Sequence, residues 1–398
     1  MGPGVDPRYK VRMSTRTRLI VLFASVPVIA FTLVGGFLGR VAAGEDAYRH
    51  LRIFEDVVSL ISNNYVEEVD LDDVIDGALR GLAEGLDADS AYLAREDADR
   101  LESGQPLPAG GIGVEVTRRY YIQIVAVADD SPAARAGLLP GDFIRAIDGE
   151  PTRFMSGVVG ERRLRSEPGS RVTISLIRGS TQEPYDIELV RERLGEPTVS
   201  RRMLADAVGY VRVPGFGSGV ADAVRDAATG LVDDGALTLV LDVRNNATGA
   251  FEEGIAAARL FVGDGTLVIR EEHGERRTPI EAGGGNPAIE TTMILLVNTG
   301  TAGPAELFAA ALVGRERAEL VGQRTAGRVG LQKLVRLPGG EGLWISWARY
   351  LKASGDPIHR YGVEPTIAVE ATTTELGELL PTDDTVLERA LEHLSAPL

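Results

Sequence analysis

The chain has 398 residues, enough for two or three domains with cores of their own. Its formal net charge of −16 and sequence pI near 4.9 argue against a nucleic-acid partner, because phosphate binding needs a basic face. Cysteine is absent, which excludes disulfides, thiolate chemistry and cysteine-based metal sites.

The N-terminus predicts a membrane element. Residues 1–18 carry Arg8, Lys10, Arg12, Arg16 and Arg18, and Leu19 to Leu38 is an apolar stretch without a charge, about long enough to cross a bilayer. Positive residues stay cytoplasmic, so the bulk of the chain is expected outside, in the periplasm or at the cell surface. Val41-Ala42-Ala43-Gly44 offers the alternative of a cleaved signal peptide and a secreted protein, but Arg40 is awkward at such a site. From 45 to 103 the pattern is helical. Phe54, Val57, Val58, Leu60 and Ile61 recur at helical spacing, and Val74, Ile75, Leu79 and Leu82 mark a second helix between Leu71 and Leu86. Two such short helices need a neighbouring domain or a second subunit to bury their apolar faces.

A Pro/Gly linker, Ser103 to Ala109, opens a domain over 110–193. Gly110 to Val116 and Tyr121 to Val125 read as a hairpin, Ser131 to Leu138 as a short helix ending at glycine, and Pro140 to Gly149 as turn, strand and turn. This mostly β arrangement with two helices resembles a PDZ domain. The resemblance implies strand addition: a partner's C-terminal tail pairs with a sheet edge while backbone N–H groups grip its carboxylate. Gly111-Ile112-Gly113-Val114 stands at the carboxylate loop, with Ile112 and Val114 expected to floor the pocket for the last apolar side chain. The helix near Val158 to Leu164 carries Glu161, Arg162 and Arg163, which predicts an unusual peptide preference.

The third domain, 197–398, alternates strands with helices and so predicts an α/β core closed by a helix over Asp384 to Leu394. Leu237 to Val243 is a continuous apolar strand of the buried parallel kind, followed by Asn245-Asn246-Ala247-Thr248-Gly249. A second apolar strand, Thr291 to Val297, runs through the turn Asn298 to Gly303 into a helix opened by Pro304. The strand Ala318 to Gly322 then leads into the Gly-spaced loop Gly322 to Gln332. An elbow facing a glycine-rich loop is how a fold presents a nucleophile to its general base.

These segments resemble the carboxyl-terminal processing, or tail-specific, serine peptidases, with further matching stretches at Asn64 to Val66, Gly77 to Leu82, Leu86 to Leu93, Ala348 to Gly355 and Tyr361 to Pro365. The resemblance implies a Ser/Lys dyad, dimers made through the N-terminal helices, and an oxyanion loop at Thr248 and Gly249. It also puts Gly303 where the family has its nucleophilic serine and Arg328 where it has its general-base lysine, while Gln332 keeps its place. Gly303 has no atom to attack with, and a guanidinium does not deprotonate at neutral pH. The expectation is a pseudopeptidase that binds protein C-termini, assembles as a homo-oligomer or with an active homologue, and needs no cofactor or metal. The alternative is a peptidase using other residues, of which Thr301 and Lys333 are nearest. His50, His273, His359 and His393 are scattered and read as surface or packing residues, and the many acidic side chains read as solvated faces.

Overall fold

A computed structural model describes residues 49–179, 183–205, 207–370, 374–377 and 383–395. The apolar stretch Leu19 to Leu38 lies outside them; among the described residues no helix is long and apolar enough to cross a membrane. The chain divides into two compact units, Met1–Ala78 and Leu79–Leu398. The first contributes helix 49–64 and the start of the helix Leu71–Glu84.

The second unit opens with the strand Ala91–Leu93 and the helix Arg95–Glu102 and then builds a PDZ-like antiparallel sheet. Its strands run in the order Val114–Arg118, Ile122–Val127, Phe143–Ile147, Arg171–Ile177 and Tyr185–Val190. Two helices, Pro132–Arg135 and Gly157–Leu164, complete it, each opened by a serine whose hydroxyl accepts a backbone N–H three residues on. Strand Val114–Arg118 pairs on one side only, and helix Gly157–Leu164 packs against it.

The remaining core is α/β. One sheet has the order Ser200–Met203, Val208–Arg212, Thr238–Asp242, Thr292–Val297, Glu319–Gly322 and Ile367–Ala368, with every neighbouring pair parallel after the first. Side chains alternate across a strand, and both faces of this sheet are covered, which is why the central strands are apolar without interruption. Leu239, Leu241, Met293, Leu295 and Val297 join one core with the helices Val220–Asp233, Phe251–Phe261 and Pro304–Gly314. Val240, Ile294 and Leu296 face the other way, onto Ala390 and its neighbours in the closing helix Thr385–Ser395. An antiparallel sheet is built around Gly342–Lys352, which pairs with Ala91–Leu93, Thr266–Glu272 and Gly330–Arg336.

A buried ionic network fixes the strand ends from which the site loops leave. Asp242, 2% exposed, accepts the Tyr210 hydroxyl at 2.7 Å and Arg244 Nε at 3.0 Å. Arg244 also reaches both oxygens of Asp384 at 2.7 Å, and Arg212 reaches both oxygens of Asp129 in the PDZ domain at 2.8 and 2.9 Å. Burial opposes the charge on Asp242, but Arg244 and Arg212 hold its carboxyl below the usual range. The expectation that acidic residues are solvated faces is therefore corrected here: Asp242, Glu271 and Glu306 are all buried, each with its own donors. Replacing Asp242 by alanine leaves the Tyr210 hydroxyl without its acceptor and Arg244 and Arg212 with only Asp384 and Asp129, and Asp242→Ala is predicted to lower the unfolding free energy by about 2 kcal/mol in urea titrations.

Candidate active site

The elbow forms at the C-terminal end of Thr292–Val297, where parallel sheets place their site loops. Asn298 braces the turn: its Oδ1 accepts the N–H groups of Gly300 at 3.0 Å and Asn245 at 2.9 Å. Thr301 is fully buried, and its hydroxyl donates to the Val243 carbonyl at 3.0 Å while accepting from Asn298 N–H at 3.1 Å. The Ala302 N–H donates to the Asn246 carbonyl and the Ala326 N–H to the Thr301 carbonyl, both at 2.9 Å. The elbow, the loop after Asp242 and the loop before Gly330 are thus laced into one body.

Gly303 has φ +58° and ψ −121° and sits just before the helix Pro304–Gly314. This is the strained elbow geometry in which a nucleophile is usually held, and only glycine adopts it without cost. A Cβ added there would meet Arg328 O at 3.8 Å, Phe251 Cε1 at 3.9 Å and Ala247 O at 4.0 Å, so a side chain fits, and the nearest polar atoms are acceptors. Gly303 itself is buried. The PDZ domain lies over the turn: a Cβ added at Gly300 would meet Pro140 Cγ at 3.0 Å and Val125 O at 3.1 Å.

The carboxylate of Glu306 joins the elbow to the facing loop. It is fully buried and accepts from the N–H groups of Gly303 at 3.2 Å, Gly327 at 2.6 Å and Arg328 at 2.7 Å, and from the Thr325 hydroxyl. Burial raises its pKa, while the bonds from Thr325, Arg328, Gly327 and Gly303 pull it down. Sequence reading passed over this residue, although an acidic side chain at the third helical position is the usual partner of the residue that opens a helix.

The Arg328 side chain is bonded to Asp89. Its Nε and Nη2 lie 3.0 and 2.7 Å from Oδ1 of Asp89, which also accepts the Thr117 hydroxyl of the PDZ strand at 2.9 Å. Burial disfavours the guanidinium charge, yet Asp89, with Glu115 and Glu306, holds its pKa above the usual arginine value. Gln332 Nε2 donates to Ser346 Oγ at 3.2 Å rather than toward Gly303. Lys333 is exposed, 5.7 Å from the centre of the Trp347 ring, and Thr301 is consumed by backbone contacts. The structure does not bring Thr301 and Lys333 into a dyad.

Beside Gln332 lies a polar cluster that sequence reading missed. Asp87 is held below the usual carboxylate range: burial works against this, and His359, Ser346 and Ser90 outweigh it. His359 is 7% exposed, with Nε2 3.8 Å from Asp87 Oδ2, so it is a packing residue as expected, though not a scattered one. A serine, a histidine and an aspartate are all present, but the carboxylate sits between hydroxyl and imidazole. A relay needs the imidazole in the middle.

Thr248 and Gly249 are pinned to the segment that follows strand Val208–Arg212, where Phe216 bridges to Gly249 and donates its N–H to the Thr248 carbonyl at 2.8 Å. Gly249 has φ +110°, and a Cβ there would fall 1.9 Å from Phe216 O, so no other residue fits. Two cavities flank the Arg328–Asp89 pair. One, of about 800 Å3, is lined by helix Gly157–Leu164, the linker before the PDZ domain, Gln332 and Trp344; the other, of about 700 Å3, is lined by Thr299, loop 324–327 and PDZ residues 117–119. The lining residues they share are Asp89 and Arg328. In the PDZ domain, Ile112 and Val114 are buried in its core, and Gly111 is covered by Arg165 and Leu194.

The model of peptidase family S41 matches residues 207–369, and that of the PDZ domain matches residues 123–178. A carboxy-terminal-processing protease of Bartonella bacilliformis is 30% identical over 339 residues, covering 83% of this chain and 77% of that protein. The chain belongs to the carboxyl-terminal processing peptidase family. A further relative, the carboxy-terminal processing protease CtpA of Bacillus subtilis, is 28% identical over 88% of this chain and 76% of its own length. Among solved structures, the photosystem II D1 C-terminal processing protease superposes with a TM-score of 0.68 at 27% identity, covering 85% of this chain and 96% of that one. The processing-peptidase fold is thus kept around an elbow that carries glycine and a loop whose arginine is committed to Asp89.

The Arg328–Asp89 pair is 27% and 12% exposed at its side chains, so solvent screens it only in part. Asp89→Ala and Arg328→Ala are each predicted to cost about 2 kcal/mol in thermal or urea unfolding, and the double variant clearly less than their sum, because the second change removes the stranded charge.

Proposed function

We propose that this chain is a membrane-anchored, extracytoplasmic pseudopeptidase: a carboxyl-terminal processing fold that binds protein tails without cutting them and scaffolds or restrains proteolysis. The observation that carries this reading is the pair of positions at the elbow. Gly303 offers no nucleophile, and Arg328, a cation under all physiological conditions, is drawn off to Asp89. Covalent catalysis by a Ser/Lys dyad needs a hydroxyl and an amine that can give up its proton, side by side. The basic segment 1–18 and apolar stretch 19–38 support the anchor, the segment 45–103 supports self-assembly, and the PDZ domain over 110–193 supports recognition of peptide termini. An active homologue is a fitting partner, since the two would share the same fold.

A second reading, retained hydrolysis through other residues, draws its support from the relatives, which are named as proteases. Incubation of the purified chain with an unfolded, apolar-tailed protein separates the two. The pseudopeptidase reading expects no sustained cleavage; turnover that disappears in Thr301→Ala or Lys333→Ala supports the second. Gly303→Ser with Arg328→Lys, and Asp89→Asn to free the new lysine, is expected to gain weak hydrolysis if Thr248 and Gly249 still supply an oxyanion site. A well-folded but inert triple variant counts against that loop.

A further inference from the structure

We propose that the PDZ domain docks on an anionic phospholipid surface through a patch at its hairpin tip, where Arg80, Arg119 and Arg153 stand among the rings of Tyr120, Tyr121 and Phe154. The proposal rests on the anchored reading above and adds which face of the anchored chain meets the bilayer. Three segments assemble the patch. The hairpin between Val114–Arg118 and Ile122–Val127 turns through Arg119, Tyr120 and Tyr121, the single helical turn Thr152–Phe154 lies beside it, and Arg80 comes from the helix Leu71–Glu84.

Tyr120 is 52% and Phe154 66% exposed, so both rings leave much of their apolar surface in water. They are held by one another and by arginine. Tyr120 and Tyr121 meet edge to face at 4.8 Å, the Arg153 guanidinium lies 3.7 Å from the centre of the Tyr120 ring and 5.6 Å from that of Phe154, and Arg80 approaches Phe154 from the helix at 5.9 Å. A buried brace lies beneath. Arg118, 8% exposed, reaches Glu84 at 2.6 Å and donates from Nη2 to the Arg153 carbonyl at 2.8 Å, while the Thr152 hydroxyl accepts the Ile122 N–H at 3.3 Å. The surface is therefore built before any partner arrives.

Its positive charge is not cancelled. Glu84 is matched by Arg118, Glu150 by Arg163 and Asp97 by Arg162, whereas Arg80, Arg119 and Arg153 make no ion pair with a described residue. A guanidinium stacked on a ring uses its face and keeps its N–H edge for phosphate oxygens. Cations interleaved with amphipathic rings are what a headgroup layer carrying negative charge favours. The chain as a whole, at a formal −16, is repelled by such a layer, so the patch also decides which way the domain faces. In the sequence the apolar stretch 19–38 precedes helix 49–64 and the helix that carries Arg80, so an anchor there keeps the patch within a tether's reach of the bilayer. A second copy of this acidic chain is the competing occupant.

The test incorporates the full chain into vesicles of phosphatidylcholine, with or without phosphatidylglycerol, and reads hydrogen exchange. Residues 118–122 and 152–155 are expected to exchange about tenfold more slowly when phosphatidylglycerol is present, and to lose that protection in 1 M salt, where the Debye length is about 3 Å. Arg119→Glu with Arg153→Glu should abolish the difference, and Tyr120→Ser with Phe154→Ser should reduce it. Arg171→Glu with Arg276→Glu, an equal change of net charge at exposed sites on other strands, should leave it intact. Equal exchange in the two kinds of vesicle, or a difference that survives in a folded Arg119/Arg153 double variant, overturns the proposal. Slowing that needs no anionic lipid and grows with protein concentration in detergent assigns the patch to a second copy and overturns it as well. A chain that floats only with the anionic vesicles supports the patch and counts instead against the anchor.

Discussion

The carboxylate of Glu306 receives one hydroxyl and three backbone N–H groups from the elbow and from the loop that faces it, and the local geometry depends on it. These bonds hold Gly303 in its elbow conformation and fix loop 325–328 a few ångströms away. A buried carboxylate with fewer donors would pay for its desolvation by taking up a proton or by pulling the loop out of place. Because three of its four bonds come from backbone N–H groups, Glu306 holds this frame whatever side chains stand at positions 303 and 328.

Given that frame, the fate of residue 328 follows from reach and charge. An arginine beside a buried elbow has to find an acceptor, and its guanidinium matches a carboxylate with two parallel bonds. Asp89 supplies that carboxylate, and the Thr117 hydroxyl steadies it from the PDZ strand. A position that serves proton transfer in the family thus joins three segments distant in sequence: the helical lead-in, the PDZ domain and the peptidase loop. The same ion pair lines both of the cavities that flank the site.

Much of this was legible in the sequence because it is local. The run Met293 to Val297 had to be a strand covered on both faces, the turn to Gly303 an elbow, and the helix after Pro304 its support; the structure has all three. That glycine stands at 303 and arginine at 328 was plain in the sequence, and their equivalence to the family's dyad is what the resemblance implies. What escaped was either long-range or unpatterned. Asp89 and Arg328 are 239 positions apart, and no periodicity connects them. His359 looked isolated because Asp87, Ser346 and Ser90 come from separate strands and turns. The strands Ser200–Met203 and Arg276–Glu281 are nearly all exposed, so they lack the alternation that would announce them. Glu306 was hidden among acidic residues assumed to be solvated, although it is the only charged residue in the otherwise apolar run Pro304 to Gly314.

The account stands on the absence of an activated nucleophile inside this fold. A fluorophosphonate probe reports that directly, since it bonds covalently to an activated serine or threonine hydroxyl whatever the substrate preference. Intact-mass analysis of the full chain after prolonged exposure is predicted to show no added mass, whereas the Gly303→Ser, Arg328→Lys, Asp89→Asn variant serves as the comparison. A stoichiometric adduct on the wild-type chain, mapped by peptide sequencing to Thr301, Ser346 or any other hydroxyl at the elbow, would contradict it.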